Sequence, residues 1–225
     1  MPSATRKQFA VHPHDRRGVW ESNDGRYRAY AHELLGELET LCAEVFVKWP
    51  LNGSPALTDE STQPELWKLA RLRDRTSDAV RIYAAMALEG FLNFYGVLRL
   101  GQVVFDEHFE RLGLVPKLRK LLLVCDNLEA PKNDVLCDHL DKVAQSRNGL
   151  VHAKTKEVIG DPSSHQRSST RVPEVARESV ENMEAFFAAF VAAVPDATSY
   201  VQRTPGSNIT VNPDLAHKAA QDRLP

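Results

Sequence analysis

The chain has 225 residues, of which 43% are hydrophobic and 26% are charged, and its formal net charge is −2. These values are those of an ordinary folded domain and exclude a largely disordered chain, whose hydropathy would be lower and net charge higher. The near-neutral charge gives no overall attraction to nucleic acid, so any RNA contact has to come from local charge.

Nothing in the sequence indicates export or a membrane. The first residues are polar and basic, and no apolar run approaches the ~18 residues that a membrane span needs. The three cysteines, Cys42, Cys125 and Cys137, form an odd set without metal-site spacing, and each stands among apolar residues. We therefore expect a soluble, cytoplasmic protein with buried free thiols and no membrane partner.

The first half of the chain predicts an arm followed by three helices. Residues 1–25 carry proline, glycine and clustered charge without periodicity, and read as an N-terminal arm. Apolar residues then recur at three- and four-residue steps over 26–49, which predicts an amphipathic helix ending before Pro50. A surface loop and a short helix over 65–72 should follow. Ser77 and Asp78 have the chemistry of N-caps, so we expect a separate, buried central helix over 78–100.

The second half predicts further helices. Short helical segments are expected first, the second of them with Pro116 in its first turn, and Asn133 or Asp134 should cap the long helix that follows. A Ser-, Gly- and Pro-rich loop over 160–172 precedes the last helix. The expected helices span 106–112, 116–125, 134–156 and 173–194.

These elements predict an all-α protein, an antiparallel helical bundle with an N-terminal helical extension. No set of segments alternates as strands would. We expect one domain over 26–201 and a C-terminal tail over 202–225.

A short polar segment late in the chain carries the most information about function. It reads Arg147-Asn148-Gly149-Leu150-Val151-His152. On a helix, Asn148 and His152 share a face, and the long side chain of Arg147 can reach an anion held there. Histidine serves as general acid or base near neutral pH, and arginine binds phosphate oxygens bidentately. The segment therefore has residues that could hold a phosphate and move a proton beside it.

The same segment resembles the motif of the HEPN superfamily, an arginine with a polar neighbour and a histidine a few positions later. The central helix, with Glu89 and Asn93 embedded among apolar residues, resembles the corresponding helix of that superfamily. The resemblance extends over 78–194.

The HEPN resemblance implies a function. It is metal-independent cleavage of RNA, in which the 2′-OH of the RNA attacks the neighbouring phosphorus. It implies a homodimer in which two protomers pool Arg147, Asn148 and His152 in one cleft, no cofactor and no metal. It also implies a role as a toxin or antiviral defence effector, with a cognate inhibitor or antitoxin protein as a partner. The alternative is a non-catalytic HEPN module that binds a nucleotide, RNA or a protein.

Several residues around the motif fit the predicted ribonuclease site, but the lysines and Glu89 also have a simpler structural explanation. Lys154 and Lys156 belong to a stretch, 140–177, with seven cations against four acids, so they are predicted to bind RNA, although a solvated helix face would look the same. Glu89 either pairs with Arg147 or reaches solvent at the bundle edge. Gly149, unfavourable within a helix, is explained by the close approach of another backbone, as at a dimer interface.

A second candidate site lies in the N-terminal arm. His12 and His14 form a pair that could bind a metal, but such pairs are more often incidental.

Overall fold

The computed structural model of the chain describes residues 9–13, 19–48, 61, 63–131, 134–151, 172–201 and 209–211. This part of the chain is mostly helical, which confirms the prediction of an all-α protein. Its elements are β1 (Val19–Glu21), α1 (Asp24–Lys48), α2 (Pro64–Leu100), α3 (Gln102–His108), α4 (Leu114–Asp126), α5 (Val135–Val151), α6 (Val172–Ala193), a 3-10 turn (Pro195–Ala197), α7 (Thr198–Val201) and β2 (Ile209–Val211). Among the described helices, none is both long and apolar enough to cross a bilayer.

The central helix is longer than the sequence predicts. One continuous helix of 37 residues, α2, replaces the short helix over 65–72 and the separate helix over 78–100. Ser77 and Asp78, interpreted as N-caps, lie in its middle, so that prediction is wrong. Ser77 is buried and its hydroxyl donates to the carbonyl of Val172 at 2.9 Å. The hydroxyl of Ser77 thus joins α2 to α6 and does not mark the start of a helix.

The core surrounds α2, which contacts α1, α3, α4, α5 and α6. Its second half is buried on nearly every side, and Phe91 packs edge-to-face against Phe186, Phe187 and Phe190 of α6. The N-terminal helix α1 packs along α2, with Ala31 and Leu38 completely buried in the same core. It is therefore part of the bundle and not an appendage.

The shorter helices follow from local chemistry. Gly101 adopts a positive φ of 82°, which glycine accepts without strain, and this turn lets α3 begin directly after α2. The helix predicted over 106–112 therefore begins and ends four residues earlier. Pro116 lies in the first turn of α4, as predicted. The three cysteines are buried and unpaired, also as predicted.

Residues before α1 and after α7 contribute a short antiparallel strand pair that the sequence did not indicate. Val19 lies opposite Val211, and Glu21 opposite Ile209. Earlier in the arm, the His12 amide donates to the Arg99 carbonyl at 2.6 Å, and Phe9 packs against Phe109. Parts of the predicted arm and tail therefore contact the bundle or each other.

Candidate functional site

The motif lies near the C-terminal end of α5, and the position of this helix is set by a cap and an apolar stripe. The carboxylate of Asp134 accepts a hydrogen bond from the Leu136 amide at 2.8 Å, which confirms the predicted N-cap. Leu136, Leu140 and Val143 are buried against the core. Because these residues fix which face of α5 points inward, Asn148 is exposed and Arg147 is half-buried.

The turn of α5 that precedes the motif is held by α2 and α6. Arg81 of α2 donates from Nε to the Ser146 hydroxyl at 2.9 Å and from Nη2 to the Ser146 carbonyl. The Ser146 hydroxyl also contacts that of Ser179 on α6 at 2.8 Å. Burial lowers the pKa of Arg81, and the nearby carboxylate of Asp78 partly opposes that effect. Three helices thus fix the main chain immediately before Arg147.

Arg147 and Asn148 line a small cavity between α5, α2 and the start of α4, which we call the motif cavity. It encloses about 190 Å³, below the ~300–1,000 Å³ of typical small-molecule sites. Such a volume suits a group like a phosphate better than a whole nucleotide. The lining residues are Ala85, Glu89, Leu112, Gly113, Leu114, Ala144, Arg147 and Asn148.

Arg147 has no ionic partner within the described part of the chain. Its guanidinium donates to the amide oxygen of Asn148 at 3.2 Å. Glu89 is exposed and lines the same cavity, but no ion pair joins it to Arg147. Of the two interpretations of Glu89, the structure fits the one in which the carboxylate reaches solvent. The Arg147 guanidinium therefore has further N–H groups that can donate to a bound anion.

Asn93, the second polar residue predicted on α2, binds a lysine that the sequence analysis did not single out. Lys117 of α4 is 1% exposed and donates from Nζ to the Asn93 side-chain oxygen at 2.6 Å. Burial lowers the pKa of Lys117, against the opposing effects of Glu89 and Glu110. One feature of the sequence could have drawn attention to Lys117: residues 111–125 contain four cations and no acid.

Gly149 does not meet the backbone of another element within the described chain. A Cβ atom built at this glycine would have Arg81 Nη2 as its nearest neighbour, at 3.7 Å, an ordinary contact. The close backbone approach predicted for it is therefore absent from the described part of a single protomer.

Several predicted residues lie outside the described part of the chain. These are His152, Lys154 and Lys156, residues 160–171 of the predicted loop over 160–172, and His14 of the N-terminal histidine pair. The structure thus brings together Arg147, Asn148 and Glu89, with Asn93 one turn further along α2. Among the described residues, no three His, Cys, Asp or Glu side chains are grouped to hold a metal.

The arrangement suits the binding of one small anion. A half-buried guanidinium without a carboxylate partner among the described residues forms strong, directional hydrogen bonds to phosphate oxygens, and the exposed amide of Asn148 adds a donor. No protein-family model, curated protein or solved structure matches the chain. Its function has to be argued from these residues.

Proposed function

We propose that the chain is a metal-independent endoribonuclease of the HEPN type, an antiparallel helical bundle that cleaves RNA in a cleft between two protomers. The observation that carries this proposal is Arg147, which lines a phosphate-sized cavity and whose guanidinium has no ionic partner within the described chain. The position of Asn148 at the same cavity supports it. His152 belongs to the proposal through the sequence motif.

Each residue has a defined role in the proposed reaction. Arg147 holds the phosphate oxygens and stabilises the charge that develops on them, and Asn148 orients the phosphate. His152 removes the proton from the 2′-OH as a bond forms between that oxygen and phosphorus. The bond from phosphorus to the 5′-oxygen breaks, and His152 of the second protomer gives this oxygen a proton. The products end in a 2′,3′-cyclic phosphate and a 5′-hydroxyl.

A second function is favoured by one observation. The carboxylate of Glu89 lines the motif cavity, and its negative charge opposes the binding of a phosphate there. The alternative is a non-catalytic HEPN module that binds a nucleotide, RNA or a protein partner, and of these ligands only the protein partner carries no phosphate and would tolerate that carboxylate.

The test is cleavage of mixed-sequence RNA in EDTA by the purified wild type, with analysis of the product ends. We expect cyclic phosphate ends, complete loss of cleavage in His152→Ala, and a loss of about a hundredfold or more in Arg147→Lys, which keeps the charge but not the bidentate geometry. Sedimentation equilibrium should give a mass of twice the 25.2 kDa chain. Well-folded wild type that cleaves nothing would favour the binding module.

His139, a histidine on α5, supplies a matched control. His139 binds Asn182 at 2.9 Å and is not among the residues that line the motif cavity. His139→Gln should therefore cleave like the wild type, and an equal loss in both histidine variants would contradict the assigned role. The proposed role as a toxin or defence effector, restrained by an inhibitor protein, predicts that expression arrests growth of the host and that His152→Ala relieves the arrest.

A further inference from the structure

The basic side chains of α4 differ in their partners from several other cations of the described chain. Lys117 donates to the Asn93 amide oxygen, Arg119 Nε donates to the Ala130 carbonyl at 2.8 Å, and Lys120 Nζ donates to the His108 carbonyl at 3.0 Å. All three acceptors are neutral, and no carboxylate oxygen of a described residue lies within 4 Å of these cations. By contrast, ion pairs to carboxylates neutralise several other cations, Arg28, Arg73, Arg99, Lys142 and Arg177.

Two of these cations line a groove along α4, which we call the α4 groove. It encloses about 720 Å³, within the range of sites that hold a nucleotide-sized ligand. Its apolar surface comes from aliphatic and proline side chains, and Glu129 is the one acidic residue among the described residues that line it. The lining residues are Val115, Pro116, Arg119, Lys120, Leu123, Glu129, Ala130 and Pro131.

The α4 groove and the motif cavity are both lined by residues at the start of α4. Leu114 lines the cavity, and the next two residues, Val115 and Pro116, line the groove. Because the cavity holds little more than one phosphate, an RNA strand bound there has to leave it over a neighbouring surface. Both spaces therefore lie against the first turn of α4.

The groove has the cations that single-stranded nucleic acid requires, and apolar side chains beside them. Sites of this kind combine cations that follow the backbone phosphates with aromatic side chains on which bases stack, and in the α4 groove aliphatic and proline side chains take the place of the aromatic ones among the described lining residues. Arg119 and Lys120 supply the cations, and the hydrogen bonds to Ala130 and His108 hold each side chain in place while leaving other N–H donors free. Pro116, Pro131 and Leu123 supply apolar surface, and Leu123 is partly exposed.

We propose that the α4 groove binds the single-stranded RNA that flanks the scissile phosphate, with Arg119 and Lys120 contacting its phosphates. This inference rests on the proposed function, because RNA is the substrate that it assigns. It adds a binding surface that the motif does not contain.

The test measures binding of a fluorescein-labelled 2′-O-methyl oligouridine by anisotropy at several salt concentrations. This probe lacks the 2′-OH, so it cannot be cleaved. In Arg119→Gln/Lys120→Gln we expect about tenfold weaker binding at moderate salt, and a slope of log affinity against log salt that is smaller by about 1.4, the value for two lost phosphate contacts. The charge-preserving variant Arg119→Lys/Lys120→Arg should bind like the wild type.

Two ion-paired cations outside the groove give a matched control. Lys142→Gln/Arg177→Gln makes the same change in charge, and its wild-type residues pair with Asp138 and Glu39. It should keep the wild-type slope. An equal loss in this control, an unchanged slope in the groove variant, or no binding by the wild type would overturn the proposal. Displacement of the RNA by polyglutamate at an equal concentration of charge would also overturn it, since the groove would then suit an acidic protein.

These experiments distinguish failure of the α4 groove proposal from failure of the proposed ribonuclease function. Groove-dependent binding by a protein that cleaves no RNA supports the α4 groove and overturns catalysis. Cleavage by a protein whose groove variant binds normally overturns the α4 groove alone.

Discussion

Arg99 is a buried cation whose partners come from three parts of the chain. It is 5% exposed, and its guanidinium donates to Asp126 at 2.6 Å and to the His12 carbonyl at 2.8 Å. The Tyr95 hydroxyl also donates to Asp126, at 2.9 Å. Burial, together with the charge of Asp126, raises the pKa of Tyr95, so this hydroxyl stays protonated. The cluster joins α2, α4 and the N-terminal arm through full hydrogen bonding of a buried charge.

Removal of one member of this cluster should strongly destabilise the fold. Asp126→Ala takes away the carboxylate that neutralises Arg99 in a buried position, so we expect the free energy of unfolding to fall by about 3–5 kcal/mol. Urea denaturation followed by circular dichroism measures it. The control is Asp138→Ala, which breaks the exposed pair with Lys142 and should change stability by less than about 1 kcal/mol. Equal effects of the two changes would contradict the assignment.

At the scale of elements, the packing of α3 on α2 depends on a helical glycine. A Cβ atom at Gly96 would lie 2.4 Å from two ring carbons of Phe105, which is itself buried. This contact is too close for any real Cβ, and the ring has little room to move in a densely packed core. The glycine is therefore required by the neighbouring helix, although glycine lowers helix propensity.

Two glycine-to-alanine changes should shift the free energy of unfolding in opposite directions. Gly96→Ala should lower the free energy of unfolding by about 1–3 kcal/mol because the clash outweighs the gain in helix propensity. Gly36 lies in α1, and apart from the adjoining part of that helix no described atom comes within 4 Å of the position that a Cβ would take there, so Gly36→Ala should raise stability by about 0.5–1 kcal/mol. Thermal and urea denaturation of both variants measure these effects. If Gly96→Ala were as stable as the wild type, the described packing of α3 would be wrong.

At the scale of the whole molecule, a charged cluster joins the first long helix to the last. Glu184 of α6 accepts hydrogen bonds from Arg28 Nε at 2.7 Å and from His32 Nε2 at 2.8 Å, both on α1. Burial by itself would raise the pKa of Glu184, but the hydrogen bonds from Arg28 and His32 outweigh burial and lower that pKa below its ordinary value of 4.5. The folded chain thus favours the ionised carboxylate more than the unfolded chain does.

The sign of the pH dependence follows from this pKa. A carboxyl group with a lowered pKa stabilises the fold above its unfolded pKa, and this contribution is lost as the pH falls through the folded pKa. Glu184→Gln should therefore lower stability by about 1 kcal/mol at neutral pH, a modest value because the pair is partly exposed. The difference from the wild type should shrink as the pH falls below 4.5. Urea denaturation at a series of pH values measures it.

A neighbouring carboxylate is the control for that series. Glu181 also lies on α6 and is exposed, so Glu181→Gln should leave both the stability and its pH dependence close to those of the wild type. A constant difference between Glu184→Gln and the wild type at all pH values would show that the ionised carboxylate does not link α1 to α6.

Local sequence patterns predicted the helical class, the approximate extents of α1, α4 and α6, the start of α5, and the buried thiols. They also predicted a cap of α5 at Asn133 or Asp134, and the helical placement of Arg147 and Asn148. Each depends on residues within a few positions of one another, and helical periodicity records them directly. Packing between distant segments explains why Ser77 lies inside α2, why α1 belongs to the core, and why Lys117 is buried beside Asn93. The same packing lines one cavity with Arg147 and Glu89 without pairing them. These features depend on contacts between residues far apart in the chain, whose burial and distances local sequence patterns do not encode.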